Sequence, residues 1–111
     1  AAAAVDVSDF VLESAAVSIG EDLKFSFIVS AKVATNVRLE YGIDYVKASG
    51  KRSRKVFQIS ETSLKDNQEK SYTKKHSFVN VSTRKHYPGT HSVVLIVNGA
   101  ERGSLDFELT L

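Results

Sequence analysis

The chain has no cysteine and a single proline, Pro88, among its 111 residues. The lack of cysteine excludes a disulfide framework, a cysteine-based zinc site and a thiol nucleophile. It also favours a reducing compartment, since secreted β-domains of this size often carry a disulfide, and we expect a cytoplasmic protein. No apolar run approaches the roughly 20 residues that span a bilayer, so we expect no membrane partner.

The first four residues, Ala1 to Ala4, have neither the charge nor the length of a signal peptide. We treat them as a tag or as unassigned residues. The composition, 42% hydrophobic and 25% charged, is ordinary for a globular domain. A chain of this length can bury a sufficient core by itself, so we expect one domain over residues 1–111.

Sequence patterns of enzymes are also absent. The chain contains no Gly-x-Ser-x-Gly and no His-Glu-x-x-His pattern. The three histidines, His76, His86 and His91, have no carboxylate between Lys70 and His91 to complete a metal site. We therefore expect no catalytic residue, no metal site and no cofactor, and assign the histidines to structure or to a binding surface.

Hydrophobic residues instead alternate with polar ones at a period of two, which predicts β-strands. The pattern is clear over residues 23–30, 37–45 and 91–97. Weaker runs predict strands near residues 7–14, 56–59, 72–78 and 105–109, with a polar connection over residues 61–69. Asn98-Gly99 predicts a hairpin turn. Seven short strands without helical periodicity predict an all-β fold, an immunoglobulin-like antiparallel β-sandwich of about seven strands.

One short segment is typical of this fold. Gly89-Thr90-His91, with Val93 two residues on, is similar to the corner that precedes the sixth strand, where a tyrosine usually stands at the position of His91. We predict that a ring nitrogen of His91 replaces the tyrosine hydroxyl and forms a hydrogen bond with backbone upstream.

Positive charge is concentrated in two segments. Lys47 to Ser60 holds five Lys and Arg residues without a carboxylate, and Lys70 to His91 holds five more, again without one. The rest of the chain holds all 13 carboxylates against only five Lys and Arg residues. This asymmetry predicts a polyanionic partner.

Immunoglobulin-like strand order would bring the two segments together at one end of the sandwich. The loop from Lys47 to Lys55 and the loop from Val81 to Gly89 would form a single basic pole. Lys and Arg displace counterions from DNA phosphates, and hydroxyl groups add hydrogen bonds. The predicted DNA-binding residues are Lys47, Ser49, Lys51, Arg52, Arg54, Lys55, Thr83, Arg84, Lys85, His86 and Tyr87.

Four segments carry a resemblance to a known family. The chain resembles the C-terminal immunoglobulin-like domain of AlkC-type DNA alkylation repair proteins, which are alkylpurine DNA glycosylases built on HEAT-like repeats. The resemblance covers the chain from about Ala16 to Leu109. The segments that carry it are 43–57, 76–78, 82–91 and 97–99.

The resemblance implies that catalysis and DNA engagement belong to different domains. The glycosylase site would lie in a HEAT-like repeat domain of the same polypeptide, and the β-domain would engage double-stranded DNA. The loops implied to face DNA are Lys47–Lys55 and Ser82–Tyr87, which agrees with the charge argument. Because this chain has no helical repeats, we expect it to be a non-catalytic accessory domain.

Two other functions fit the same sequence. The chain could be a protein-interaction sandwich that docks on a helical-repeat partner, its basic pole serving solubility. A weaker alternative is an extracellular adhesion or sugar-binding module, for which Asn80 matches a glycosylation site. Binding to DNA at low salt would distinguish the accessory domain from the docking module.

Overall fold

The computed structural model describes residues 5–47, 49–79 and 86–110. Across these ranges the backbone forms eight strands and no helix, which confirms the predicted all-β fold. It follows that no helix there is long and apolar enough to cross a membrane. The strands are β1 (Val5–Leu12), β2 (Ala16–Ser18), β3 (Asp22–Ala31), β4 (Thr35–Val46), β5 (Arg52–Leu64), β6 (Gln68–Ser77), β7 (Gly89–Val97) and β8 (Ala100–Thr110).

The strands form two sheets that face each other. One has the order β1-β3-β6 and the other β2-β8-β7-β4-β5. Neighbouring strands are antiparallel except β2, which pairs with β8 in parallel, Val17 lying opposite Leu109. The edge strands β5 and β6 are joined by a short turn at Asn67, whose φ is 57°.

Alternation in the sequence places one side of each sheet in the core. In β3, Leu23, Phe25, Phe27 and Val29 are buried, while the residues between them are only half-buried. The facing side of β4 supplies Leu39, Tyr41 and Ile43, among others. Adjacent side chains of a strand point to opposite faces, so a period of two fills the space between the sheets with apolar groups.

Strand β7 departs from this pattern because both of its faces are covered. Ser92, Val94 and Ile96 point to the outer side of the five-stranded sheet, yet all three are buried. On that outer side the Arg54 side chain lies over Gly42, whose added Cβ would come within 3.2 Å of Arg54 Cδ. A central strand covered on both faces reads as a continuous apolar run.

The prediction was wrong about β5. It is not a short strand near residues 56–59 but a strand of 13 residues, and the predicted polar connection from Glu61 is strand as far as Leu64. Pairing with the long strand β4 holds it, through a bulge at Leu39 and Glu40. Backbone hydrogen bonds of an edge strand need no apolar pattern, so a polar sequence concealed its length.

The topology brings the described ends of both predicted loops to one end of the molecule, which measures 45 × 22 × 21 Å. Strand β4 ends there at Val46 and β5 starts back from Arg52, while β7 begins there at Gly89. The side chain of Val46 lies 3.6 Å from the position of a Cβ added to Gly89. At the opposite end lie Lys32, Lys65 and the Asn98-Gly99 turn, which has the predicted positive φ at both residues.

Candidate nucleic-acid interface

The first part of the basic pole is the tight turn between β4 and β5. The amide of Lys47 donates to the carbonyl oxygen of Lys51 at 2.8 Å. The amide of Gly50 donates to the carbonyl oxygen of Lys47 at 2.9 Å. Gly50 has a φ of 82°, which favours glycine. The turn leaves Lys47, Ser49 and Lys51 exposed to solvent.

The second part is the segment before β7, and His91 holds it in place. His91 Nε2 lies 2.8 Å from the carbonyl oxygen of Tyr87, the upstream backbone contact predicted for this residue. The amide of Val46 donates to His91 Nδ1 at 3.4 Å. Because that amide can only donate, Nδ1 accepts and Nε2 carries the proton that is donated to Tyr87. One imidazole thus joins the end of β4 to the start of the second loop.

The environment favours the neutral form of this imidazole. His91 is fully buried and stacks on Phe107, with ring centroids 5.7 Å apart. Burial lowers the pKa of His91 below its ordinary value, and the nearby Arg52 charge lowers it further. The hydrogen bond to the Tyr87 backbone and the Glu108 carboxylate act in the opposite direction but do not reverse the shift.

A cleft of about 160 Å³, which we call the pole cleft, lies where the two parts meet. Its walls include Tyr45, Val46, His86 and Tyr87, and its rim includes Lys47, Ser53 and Lys55. The Tyr45 and His86 rings stack with centroids 5.6 Å apart. The cleft therefore combines aromatic surface with two flexible cations.

Behind the wall of the cleft, the His76 ring lies between the hydroxyl groups of Tyr41 and Tyr45. Tyr45 Oη lies 2.6 Å from His76 Nε2, and Tyr41 Oη lies 2.9 Å from His76 Nδ1. Burial, with a smaller effect of Tyr45, raises the pKa of Tyr41 to about 12. A neutral imidazole offers one donor and one acceptor, so His76 can satisfy both hydroxyl groups at once. Its hydrogen bond fixes the Tyr45 ring in the cleft wall.

The two arginines of the first segment lie on the outer face of the five-stranded sheet. Arg54 Nε and Nη2 bind Asp44 at 2.6 and 3.1 Å, and Arg54 Nη1 binds Glu101. The bidentate bonds from Arg54 lower the pKa of Asp44. Arg54 belongs to β5 and not to the loop, and two carboxylates balance its charge.

Arg52 is held at the end of this outer face. Its Nη2 donates to Ser92 Oγ at 2.5 Å, and Ser92 Oγ in turn donates to Asp106. Although Ser92 is almost fully buried, Arg52 itself is exposed. Its guanidinium is therefore oriented by one hydroxyl and remains near the loop.

Lys55, Lys70 and Lys74 lie on a different face from the two arginines. Lys55 lies opposite Ile43 and so projects from the core-facing side of β5, at the open edge between the sheets. Lys74 and Lys70 project from the matching side of β6, opposite Phe25 and Val29. No described carboxylate lies within ion-pair distance of Lys47, Lys51 or Lys55.

Lys70 and Lys74 add positive charge along the open edge, with Lys70 towards the end away from the pole, and neither was among the predicted site residues. Lys70 Nζ bonds Thr62 Oγ1 at 3.0 Å across the open edge. Every second residue of β6 points to the same face, and on the core-facing side these residues are Lys70, Tyr72, Lys74 and His76. That alternation is visible in the sequence, and it could have placed both lysines on the core-facing side of β6.

Acidic residues border the basic surface on one side. Glu21 and Asp22 lie at the same end of the sandwich, and the Glu21 carbonyl oxygen accepts from the amide of Phe78 at 3.0 Å. The cations are therefore concentrated on the β4–β5 side. Three predicted site residues, Thr83, Arg84 and Lys85, lie outside the described residues, as does Asn80.

The histidines do not form a metal site among the residues that the structure describes, where no group of three or more potential ligands occurs. All three are buried. They pack among aromatic rings, and Phe78 contacts each of them.

The sheet order and the His91 corner define an immunoglobulin-like β-sandwich domain: β1-β3-β6 form one sheet, and β8-β7-β4-β5 with the short β2 form the other. The chain belongs to the family described as "Uncharacterised protein YhaZ, C-terminal Ig-like domain", whose model matches residues 6–111. The resemblance to the C-terminal domain of AlkC-type proteins is likewise confirmed.

Two related proteins show how similar this chain is to its relatives and how much of each relative it covers. The uncharacterized protein YhaZ of Bacillus subtilis (strain 168) is 44% identical over 105 residues, which cover 95% of this chain and 29% of that protein. Pseudomonas fluorescens alkylpurine DNA glycosylase AlkC, bound to DNA containing an abasic site analog, superposes with a TM-score of 0.93 and 32% identity. The superposition covers 97% of this chain and 31% of AlkC.

The fold alone is shared more widely. A β-glucosidase from Listeria innocua in complex with isofagomine superposes with a TM-score of 0.78 and 16% identity, covering 96% of this chain and 16% of the enzyme. The chain thus spans about three tenths of YhaZ and AlkC, and less of the glucosidase.

Proposed function

We propose that this chain is a non-catalytic module that contacts the DNA backbone, and that it works beside the glycosylase domain of an AlkC-type repair protein. One observation carries the proposal: the described residues within 47–55 and 86–87, from the two carboxylate-free segments, meet at one pole of a domain that superposes closely on part of a DNA-bound glycosylase. The rest of the polypeptide would supply the lesion site. The proposal agrees with the expected cytoplasmic location, where a bacterial repair protein meets DNA.

The described contacts suggest which groups bind phosphate. Lys47, Lys51 and Lys55 are exposed and have no described carboxylate partner, and Arg52 is oriented beside them. Arg84 and Lys85 remain predicted contacts from the sequence. About four to six such contacts would give a slope of log K against log salt of roughly −4 to −5. We expect weak binding, with a dissociation constant in the range of about 10⁻⁴ to 10⁻⁶ M typical of non-specific contacts.

The experiment is a fluorescence anisotropy titration of duplex DNA at several salt concentrations. The variant Lys47→Ala/Lys55→Ala removes two charges at the pole, and Lys32→Ala/Lys65→Ala removes two at the opposite end. We expect the first to weaken binding and flatten the salt dependence, and the second to do neither. Equal effects of the two variants would reject the pole as the binding surface.

A docking role remains the second candidate, and one surface favours it. The outer face of the three-stranded sheet carries short side chains, namely Ser8, Ser26, Ser30, Ser71 and Thr73 around Ile28. A flat face of this kind suits contact with the helical-repeat part of a longer polypeptide. Complete lack of DNA binding at low salt would favour this role over the first.

A further inference from the structure

The pole cleft has the size of one planar ring. Its volume is about 160 Å³. A cavity of about 150 Å³ accommodates benzene, whereas pockets for drug-sized ligands start at about 300 Å³. The cleft is therefore too small for an extended ligand, and it matches a single ring.

The walls of the cleft are held in place before any ligand arrives. His76 fixes the Tyr45 hydroxyl at 2.6 Å, and the His86 ring stacks on Tyr45. His91 fixes the backbone of Tyr87 at 2.8 Å. Because these groups are already ordered, stacking a ring on them would cost little further conformational entropy.

The rim of the cleft favours an anion close to that ring. Lys47 and Lys55 border it, and both are exposed without a carboxylate partner among the described residues. A ring linked to an anion a few ångströms away is the chemistry of a nucleotide. Aromatic side chains beside basic groups are also the usual means of binding unpaired bases.

We infer that the pole cleft binds one unstacked nucleotide, with the base against Tyr45 and Tyr87 and an adjacent phosphate between Lys47 and Lys55. The inference rests on the proposed function and refines it, because it makes the pole selective for DNA with an unpaired base. A nucleotide of this kind could come from a distorted duplex or from free nucleoside monophosphate.

The test measures by fluorescence anisotropy how the 111-residue chain binds two duplexes that differ by one bulged thymine, with free thymidine monophosphate as a third ligand. We expect the bulged duplex to bind at least about fivefold more tightly than the paired duplex, since stacking one base on an aromatic side chain is worth about that much or more. Free nucleotide should bind more weakly, because it lacks the neighbouring phosphates.

Three variants separate the cleft from general attraction to phosphate. Tyr87→Ala removes a wall and Ser53→Leu fills the space, so both should abolish the preference for the bulge, and Ser53→Leu should leave paired-duplex binding within about twofold. Tyr87→Phe keeps the ring and should retain the preference. Thermal unfolding of each variant checks that the domain is folded.

The possible results are distinguishable. If the wild type binds both duplexes equally and the Lys47→Ala/Lys55→Ala variant weakens both, the inference fails and the proposed function stands. If neither duplex binds, both fail. A preference that survives Tyr87→Ala and Ser53→Leu would place the unpaired base elsewhere, and tighter binding of a phosphotyrosine peptide than of thymidine monophosphate would overturn the assignment to a nucleotide.

Discussion

His91 donates a hydrogen bond from Nε2 to the carbonyl oxygen of Tyr87 at 2.8 Å, while its Nδ1 accepts from the amide of Val46. Each partner belongs to one side of the basic pole, so a single buried side chain sets the distance between them. In this domain an imidazole performs a role that a tyrosine hydroxyl usually performs in related folds.

The variant His91→Phe should keep the packing and lose both hydrogen bonds. We expect it to lower the free energy of unfolding by about 1–3 kcal/mol, because a buried amide loses its acceptor. It should also weaken DNA binding, since the two loops are no longer joined. Urea unfolding measures the first effect and anisotropy the second. Thr90→Ala, one residue away and exposed, is the control, and equal losses in both variants would contradict the role of His91.

Stability should depend on pH through His91. Its folded pKa lies below the ordinary value of about 6.5, so the unfolded chain binds the proton more readily. The free energy of unfolding should therefore fall as the pH drops below about 6.5 towards the folded pKa, with a limiting slope of about 1.4 kcal/mol per pH unit. Urea unfolding at pH 7.5, 6.5 and 5.5 measures it. The His91→Phe variant should show a smaller slope, and an unchanged slope would assign the effect to other groups.

Substituting Arg54 should affect mainly the stability of the domain, whereas substituting Lys47 should affect mainly its DNA binding. Arg54→Ala should destabilise the domain by about 1 kcal/mol, a modest effect because 39% of the side chain is exposed and solvent screens its ion pairs. It should change the salt dependence of DNA binding little. Lys47→Ala should instead leave stability unchanged and reduce the slope by about 0.9. If Arg54→Ala reduced the slope as much as Lys47→Ala, the pairing with Asp44 and Glu101 would not persist in solution.

Tyr41 should titrate later than an ordinary tyrosine. Burial raises its pKa to about 12, so the folded state favours the neutral phenol. Stability should consequently be lost as the pH rises above about 10, the pKa in the unfolded chain. Absorbance at 295 nm should show a phenol that ionises above the ordinary range, or that ionises together with unfolding. In Tyr41→Phe this late step should disappear, and its persistence would assign it to another tyrosine.

The sequence predicted most of the fold because the core depends on a local pattern. Strand β3 alternates cleanly, and its predicted bounds, residues 23–30, differ from Asp22–Ala31 by one residue at each end. Asn98-Gly99 predicted its turn because both residues tolerate positive φ. Where polar residues occupy an edge strand, as in β5, pairing with β4 decides the structure and the local pattern does not show it.

For the candidate site, the sequence by itself determined which residues carry charge and that two basic segments exist. It could not tell a lysine that remains exposed from an arginine that lies between two carboxylates. Asp44 and Glu101 are 10 and 47 residues from Arg54, and only the sheet brings all three together. The pole cleft has the same origin, since the residues of its walls and rim come from β4, β5 and the segments beside them. Charge is a property of each residue, but its partners and the shape around it arise from contacts between distant parts of the chain.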